Sequence, residues 1–149
     1  MYQDLMVQVI EAQAKYNLRA QPPCPANRVE ELRRRARREL RAELPEEYAA
    51  FLRQHDGLNW NGLFLYASER TPITGSPSNF IEGFVEMNLL YREDKWFEDY
   101  LVFGEGNMDL YVRQVSTGDF QIIDRVPGNL IETVSSFDEL LIKALKAHL

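Results

Sequence analysis

The strongest local constraint on the fold is a pair of short runs joined by turn residues. Residues 109–115 read DLYVRQV, residues 120–124 read FQIID, and STGD stands between them. Both are alternating runs with β-branched and aromatic residues, which is typical of strands. Two such runs joined by turn residues predict a β-hairpin, so the fold must contain antiparallel strands.

Three helical patterns precede this part of the chain. Residues 3–17 carry apolar residues at helical spacing, and the prolines of QPPCPAN end the pattern. A second helix is expected from Asn27, as its N-cap, to about Glu43. A third helix is expected in LPEEYAAFLRQHDG, residues 44–57, where Gly57 suits a left-handed end.

The remaining chain combines strands, a loop and two helices. Strands are expected in WNGLFLYA (residues 60–67) and in DYLVFG (99–104), with SERTPITGSPSN (68–79) as a polar loop between elements. The apolar spacing in residues 80–94 favours a helix. A last amphipathic helix is expected in residues 135–149.

Two further signals complete the pattern. PGN at residues 127–129 predicts another turn, and Ser136 with Glu139 forms a capping box at the start of the last helix. Helices at both ends of a group of strands predict an α+β fold. A chain of 149 residues suits one domain, and its only cysteine, Cys24, excludes an intramolecular disulfide.

The charge of the chain is unevenly distributed. Residues 28–41 hold seven arginines and three glutamates, a net charge of +4. Because the whole chain has a net charge of −6, the remaining residues carry −10. An acidic body argues against general binding to nucleic acid and favours basic partners. The arginine-rich segment is expected to be a solvated helix face, with a docking surface for an acidic partner as the alternative.

Residues 54–62, QHDGLNWNG, look at first like part of an active site. A nucleophilic triad needs a Ser or Cys beside the histidine and a carboxylate on its other side, and no G-x-S-x-G motif occurs. His55 is better explained as a residue of the last turn of a helix, near its carbonyl groups. Two histidines and one cysteine give no zinc spacing, so we expect no metal, no cofactor and no catalytic residue.

The order of these parts resembles the SUKH superfamily, which includes bacterial immunity proteins and fungal cell-wall synthesis regulators. The resemblance is carried by LPEEYAAFLRQHDGLNW, by YLVFGEGNMDLYVRQVSTGDFQIID and by the terminal SFDELL, and it covers residues 44–149. The matched residues are expected to be mainly architectural; they are Pro45, Tyr48, Gly57, Gly104 and Asp109.

The resemblance implies both a fold and a function. It implies one antiparallel or mixed sheet of about five or six strands, with amino-terminal helices and a carboxy-terminal helix packed on it. The chain would be a single SUKH-like domain, residues 1–149, with an amino-terminal helical part (1–43) and a family core (44–149). Members are not known as enzymes, and many are thought to neutralise a toxin, frequently a nuclease, by binding it.

We therefore expect a non-catalytic module that binds a protein partner, such as a basic toxin domain. The residues predicted to face this partner are Asp56, Asn59, Asn61, Glu105 and Asp109. No apolar run approaches the roughly 20 residues that cross a bilayer, and no secretory signal is recognised, so a cytoplasmic monomer or weak homodimer without membrane contact is expected. Two alternatives remain: a small hydrolase that uses carboxylates or His55, and a regulatory scaffold bound through the arginine-rich helix.

Overall fold

The structure is a computed structural model that describes residues 1–126 and 129–149. Its strands are β1 (Leu58–Trp60), β2 (Leu63–Leu65), β3 (Thr71–Ile73), β4 (Ser76–Ile81), β5 (Tyr100–Glu105), β6 (Asp109–Gln114), β7 (Phe120–Asp124) and β8 (Leu130–Val134). Six of them form one sheet in the order β1-β2-β5-β6-β7-β8, and β3 pairs with β4 separately. Every strand pair in the main sheet is antiparallel.

The described residues also form five α-helices. They are α1 (Tyr2–Ala14), α2 (Ala26–Arg35), α3 (Glu46–Gln54), α4 (Phe84–Tyr91) and α5 (Phe137–His148). A π-helical turn, Ala36–Leu40, continues α2, and a short 3₁₀ turn, Lys95–Phe97, follows α4. The predicted α+β class is thus confirmed, with amino-terminal helices, a carboxy-terminal helix and a six-stranded antiparallel sheet.

The predicted hairpin of residues 109–124 is confirmed as β6 and β7. Asp109 pairs with Asp124 and Arg113 pairs with Phe120. The turn needs a left-handed residue, and Gly118 supplies it with φ of 77°. β8, which adds a further strand beside β7, was not foreseen, and the predicted turn at 127–129 lies partly outside the described residues.

The expectation of one strand in residues 60–67 is wrong. Asn61 and Gly62 have φ of 48° and 86°, so the chain reverses there and Trp60 pairs with Leu63 across a two-residue turn. Asn-Gly is the residue pair that favours this turn, because both central residues need positive φ. Two three-residue strands therefore replace the single strand.

The expectation of a loop in residues 68–79 is also wrong. This segment contains most of the β3–β4 hairpin, which turns at Gly75 with φ of 88°. Because Ile81 pairs with Thr71, the start of the predicted 80–94 helix belongs to β4, and the helix begins only at Phe84. Pro72 is compatible with a strand here because the pair has only two strands and both have open edges.

The helix ends differ in detail from the predicted ones. Asn27 lies inside α2, whose N-cap is Pro25, so the predicted Asn27 cap is wrong. Ser136 does cap α5, since its hydroxyl accepts the Glu139 backbone N–H at 3.1 Å. The Glu139 carboxylate accepts instead from the backbone N–H of Ser135, so only half of the capping box forms.

Tyr48 on α3 lies at the centre of the core. Its fully buried ring lies 5.1 Å from the ring of Phe84, 5.2 Å from that of Phe103 and 5.4 Å from that of Phe137 (centroid distances). Its hydroxyl donates to the Tyr66 carbonyl at 2.7 Å, so the buried polar atom is satisfied. The same buried cluster extends to α1 and α2.

Asn88 on α4 fixes this helix against the sheet. It is fully buried, and its amide donates to the carbonyls of Phe84 at 2.9 Å and Val102 at 2.8 Å. Its carbonyl oxygen accepts the Val102 backbone N–H at 2.7 Å. Since β2 pairs with β5 only at Gly104 and Glu105, the Asn88 side chain bonds backbone groups that β2 does not reach.

Replacing Asn88 tests this link. We expect Asn88→Leu to lower the free energy of unfolding by about 2–4 kcal/mol, because the Val102 N–H and C=O would lose their buried partner. The exposed Asn79 provides the control, and Asn79→Leu should change the value by no more than about 0.5 kcal/mol. Urea denaturation measures both; equal losses in the two variants would contradict the assigned role of Asn88.

Candidate protein-binding surface

Three of the five predicted contact residues lie together at one end of the sheet. Asn61 is in the turn between β1 and β2, whereas Glu105 and Asp109 flank the turn between β5 and β6. Strand pairing places Glu105 opposite Phe64 and Asp109 opposite Asp124. We call this surface the sheet-end rim; it comprises residues 61–62, 105–109 and 124–126.

Two shallow depressions occupy the rim. One has a volume of about 270 Å³ and is lined by Gly62, Phe64, Glu105, Gly106, Asn107 and Arg125. The other, of about 230 Å³, is lined by Asn107, Met108, Asp124, Arg125 and Val126. Glu105 forms an ion pair with Arg125 between them, so the charge of this predicted contact residue is compensated within the chain.

The apolar part of the rim was not predicted from the sequence. Met108 and Val126 are 73% and 77% exposed, and both line the depression of about 230 Å³. The available signal was an apolar residue inside a turn segment, since Met108 follows GEGN and Val126 precedes PG. The rim therefore combines polar, charged and apolar groups, as protein interfaces do.

The end of α5 holds one side of the rim in place. The Asn61 amide donates to the His148 carbonyl at 2.9 Å, and His148 Nδ1 lies 3.0 Å from the Asn61 carbonyl oxygen. His148 Nε2 lies 3.5 Å from the hydroxyl of Tyr111, and burial raises the pKa of that hydroxyl to about 12. The Tyr111 hydroxyl thus stays protonated, and the Asn61 turn is fixed to the carboxy-terminal helix.

The other two predicted residues lie elsewhere. Asn59 is half-buried within β1, where its carbonyl accepts from the Gln13 amide at 3.2 Å. Asp56 lies two residues before β1, at the end of this strand away from the Asn61 turn. It is only 5% exposed. Its carboxylate accepts from the Ser68 backbone N–H at 2.7 Å and from the Ser68 hydroxyl at 2.9 Å. The contact role of the five residues stays a prediction, and Asp56 is not part of the rim.

The expectation that His55 lies in the last turn of its helix is wrong. The backbone of His55 is extended, with φ of −144°, and its ring nitrogen lies 3.4 Å from the Gln21 carbonyl rather than against the carbonyls of α3. Burial lowers the pKa of His55, which disfavours the imidazolium that would complement a helix end. Gly57 is left-handed, with φ of 92°, but the expectation that it ends the helix is wrong, because α3 ends at Gln54 and the extended His55 is its C-cap.

The neighbourhood of His55 and Asp56 does not provide a nucleophilic triad. The Ser68 hydroxyl donates to Asp56 itself, so the serine is not held by an imidazole base. Over residues 1–126 and 129–149, no group of three or more His, Cys, Asp or Glu side chains could hold a metal ion. In the same ranges, no helix is long and apolar enough to cross a membrane.

The arginine-rich segment is compensated by carboxylates of the same chain. In the described part of the chain, six of its seven arginines lie within ion-pair distance of an acid. Arg35, for example, reaches Glu39 at 2.9 Å and Glu86 at 2.7 Å, and Arg37 reaches Glu43 at 2.8 Å. Exposed pairs of this kind add little stability, but they cancel the positive field of the segment at short range.

The comparison with protein families agrees with this architecture. The model of the SMI1 / KNR4 family (SUKH-1) matches residues 30–143. This match covers more than half of the chain, so the protein belongs to the SMI1 / KNR4 family (SUKH-1). A search among curated proteins found no match to the chain.

The buried Asp56 gives a prediction about pH. Burial raises the pKa of its carboxyl above the ordinary value for an aspartate. The folded state then binds the proton more tightly than the unfolded state, so this group lowers the free energy of unfolding as pH rises from about 4 through the raised pKa. Asp56→Asn should remove this part of the pH dependence.

Urea denaturation between about pH 3.5 and 7 measures the effect, and Asp4→Asn on the exposed face of α1 is the control. Relative to the wild type, Asp56→Asn should gain stability with rising pH, whereas Asp4→Asn should follow the wild-type curve. Parallel curves for all three proteins would show that Asp56 titrates normally and would contradict the prediction.

Proposed function

We propose that this protein is a non-catalytic binding module of immunity type, which neutralises a basic toxin domain by covering its substrate site. Membership of the SMI1 / KNR4 family (SUKH-1) supports a role in protein binding. The observation that carries the proposal is the internal pairing of the arginine-rich segment, because it leaves the acidic surplus of the chain to dominate its outer surface. A toxin that acts on nucleic acid presents a basic substrate site, which such a surface complements.

The sheet-end rim is a proposed contact surface for this partner. Its Asn61 turn is fixed by His148, so little conformational freedom would be lost there on binding. Met108 and Val126 offer apolar area, and the half-buried Asp109 adds a carboxylate at the start of β6. The partner would be bound by a monomer or weak homodimer in the cytoplasm, without a cofactor.

The two alternatives identified from the sequence gain no support from the geometry. A scaffold bound through the arginine-rich segment would need uncompensated positive charge, whereas Arg34 pairs with Glu31 and Arg38 with Glu39. A hydrolase that uses His55 would need a nucleophile beside this imidazole, whereas its closest polar contact is the Gln21 carbonyl. We therefore retain the binding module alone.

The proposal predicts salt-sensitive binding to a basic toxin domain encoded beside this chain. Calorimetry should detect a one-to-one complex, and its Kd should rise roughly tenfold or more between about 0.05 and 0.5 M salt, since opposite charges steer and hold the partners. Absence of a complex at the lower salt concentration would contradict the proposed function.

A charge reversal separates this proposal from the scaffold alternative. Arg34→Glu with Arg38→Glu should leave the affinity for the toxin domain unchanged or slightly increased, because these side chains are paired within the chain. Loss of binding in this double variant, with an unchanged thermal midpoint, would instead identify the arginine-rich segment as the docking surface.

A further inference from the structure

A second surface lies at the opposite end of the sheet from the rim. β5 runs from Tyr100 to Glu105, so its two ends are separated by about 17 Å at 3.3 Å per residue. Residues 89–100 comprise the last turn of α4, the connection that contains the 3₁₀ turn, and the first residue of β5. All of these residues are described by the structure, and we call their outer surface the anionic aromatic face.

Four aromatic rings form a connected group within this face. Trp96 stacks on Tyr100 with 4.8 Å between ring centroids and 5° between ring planes. The ring centroid of Phe97 lies 5.0 Å from the ring centroids of both Trp96 and Tyr91. The Tyr91 hydroxyl lies 3.0 Å from the hydroxyl of the buried Tyr66. The group is thus attached to the core, and its outer member is held in place before any partner arrives.

The outer part of this group remains open to solvent. Trp96 is 37% exposed, and Leu89 and Leu90, in the α4 part of the same segment, are 41% and 58% exposed. Tryptophan is enriched among the residues that contribute most to protein interfaces, particularly where its orientation is already fixed. The segment therefore offers apolar area on an ordered support.

Carboxylates dominate the charge of the same segment. Residues 89–100 contain four carboxylates and two basic side chains. Glu93, Asp94 and Glu98 are exposed, and within the described chain they form no ion pair. They contrast with the glutamates of the arginine-rich segment, whose charges are already compensated.

Within the described chain the local basic residues form no close ion pair with these carboxylates, although Arg92 attracts Asp99 and Glu98 at longer range. Arg92 turns inward and donates to the carbonyls of Leu40 at 2.6 Å and Tyr100 at 3.0 Å. Burial of Arg92 lowers the pKa of its guanidinium, which nevertheless serves as a structural donor rather than as a surface charge. Among residues 89–100, Lys95 is then the one basic side chain classed as exposed, since Arg92 is half-buried.

We propose that the anionic aromatic face is the docking surface for an arginine- or lysine-rich segment of the basic protein partner. A cationic side chain binds over an indole or phenol ring, and a carboxylate beside the ring holds its charge. The alkyl parts of arginine and lysine pack on apolar side chains such as Leu90. This inference rests on the proposed function and adds the second contact surface and the chemistry that it recognises.

The test uses a nona-arginine peptide titrated into the ¹⁵N-labelled full chain at low salt. Amide and Trp96 indole signals should shift most in residues 89–100, with smaller shifts in the sheet-end rim. Glu93→Lys with Glu98→Lys should raise the peptide Kd at least about tenfold. No detectable binding, or the largest shifts outside residues 89–100, would overturn the proposal.

A matched variant controls for net charge. Asp4→Lys with Glu11→Lys changes the charge by the same amount, at two exposed positions of α1, and should alter the peptide Kd less than about twofold. Equal weakening in the two double variants would mean that only overall charge matters, and would also overturn the proposal. Thermal unfolding of both variants checks that each is folded.

The outcomes distinguish this inference from the proposed function. If the toxin domain does not bind the wild-type chain, the proposed function fails, whatever the peptide does. If the toxin domain binds and Glu93→Lys with Glu98→Lys leaves its Kd unchanged, only the assignment of this face fails. If the chain self-associates through this face and the peptide does not bind, the occupant is a second copy and the proposal is overturned.

Discussion

The buried side chain of Tyr48 is the contact on which the rest of the structure depends. Its ring touches aromatic rings from α4, β5 and α5, and its hydroxyl bonds the chain just after β2. Burial raises the pKa of Tyr48 well above its ordinary value, so the hydroxyl remains a donor at every physiological pH. One residue of α3 thereby sets the positions of helices and strands whose ends form both proposed surfaces.

Charge distribution is the second organising feature, and it separates the surface into two kinds of region. Beside the arginine-rich segment, hydrogen bonds from arginines lower the pKa of Glu39, Glu43 and Glu46, that of Glu46 first through Arg53 and then through Arg33. In residues 89–100, the carboxylates have no such partners among the described residues. Net charge alone would miss this difference, because it depends on which charges are paired.

The elements with local sequence signals could be predicted, whereas the features that depend on contacts between distant residues could not. The β6–β7 hairpin was predictable because alternating residues and turn residues coincide there. The Asn61–Gly62 turn has an equally local signal, the Asn-Gly pair, but it was not predicted. The burial of Asp56 could not be predicted, because it follows from hydrogen bonds to Ser68, twelve positions away. The stacking of Trp96 on Tyr100 likewise requires the 3₁₀ turn that brings the rings together.

We propose that this family member acts by occupying a partner's site rather than by chemistry. Titrating it into a fixed amount of the active toxin domain, and measuring the remaining toxin activity, tests this claim most directly. Occlusion predicts a linear loss of activity that is complete at one molecule of this protein per toxin molecule, with activity recovered when high salt separates the two. Complete and irreversible inactivation at a small fraction of that ratio would require turnover and would contradict the account.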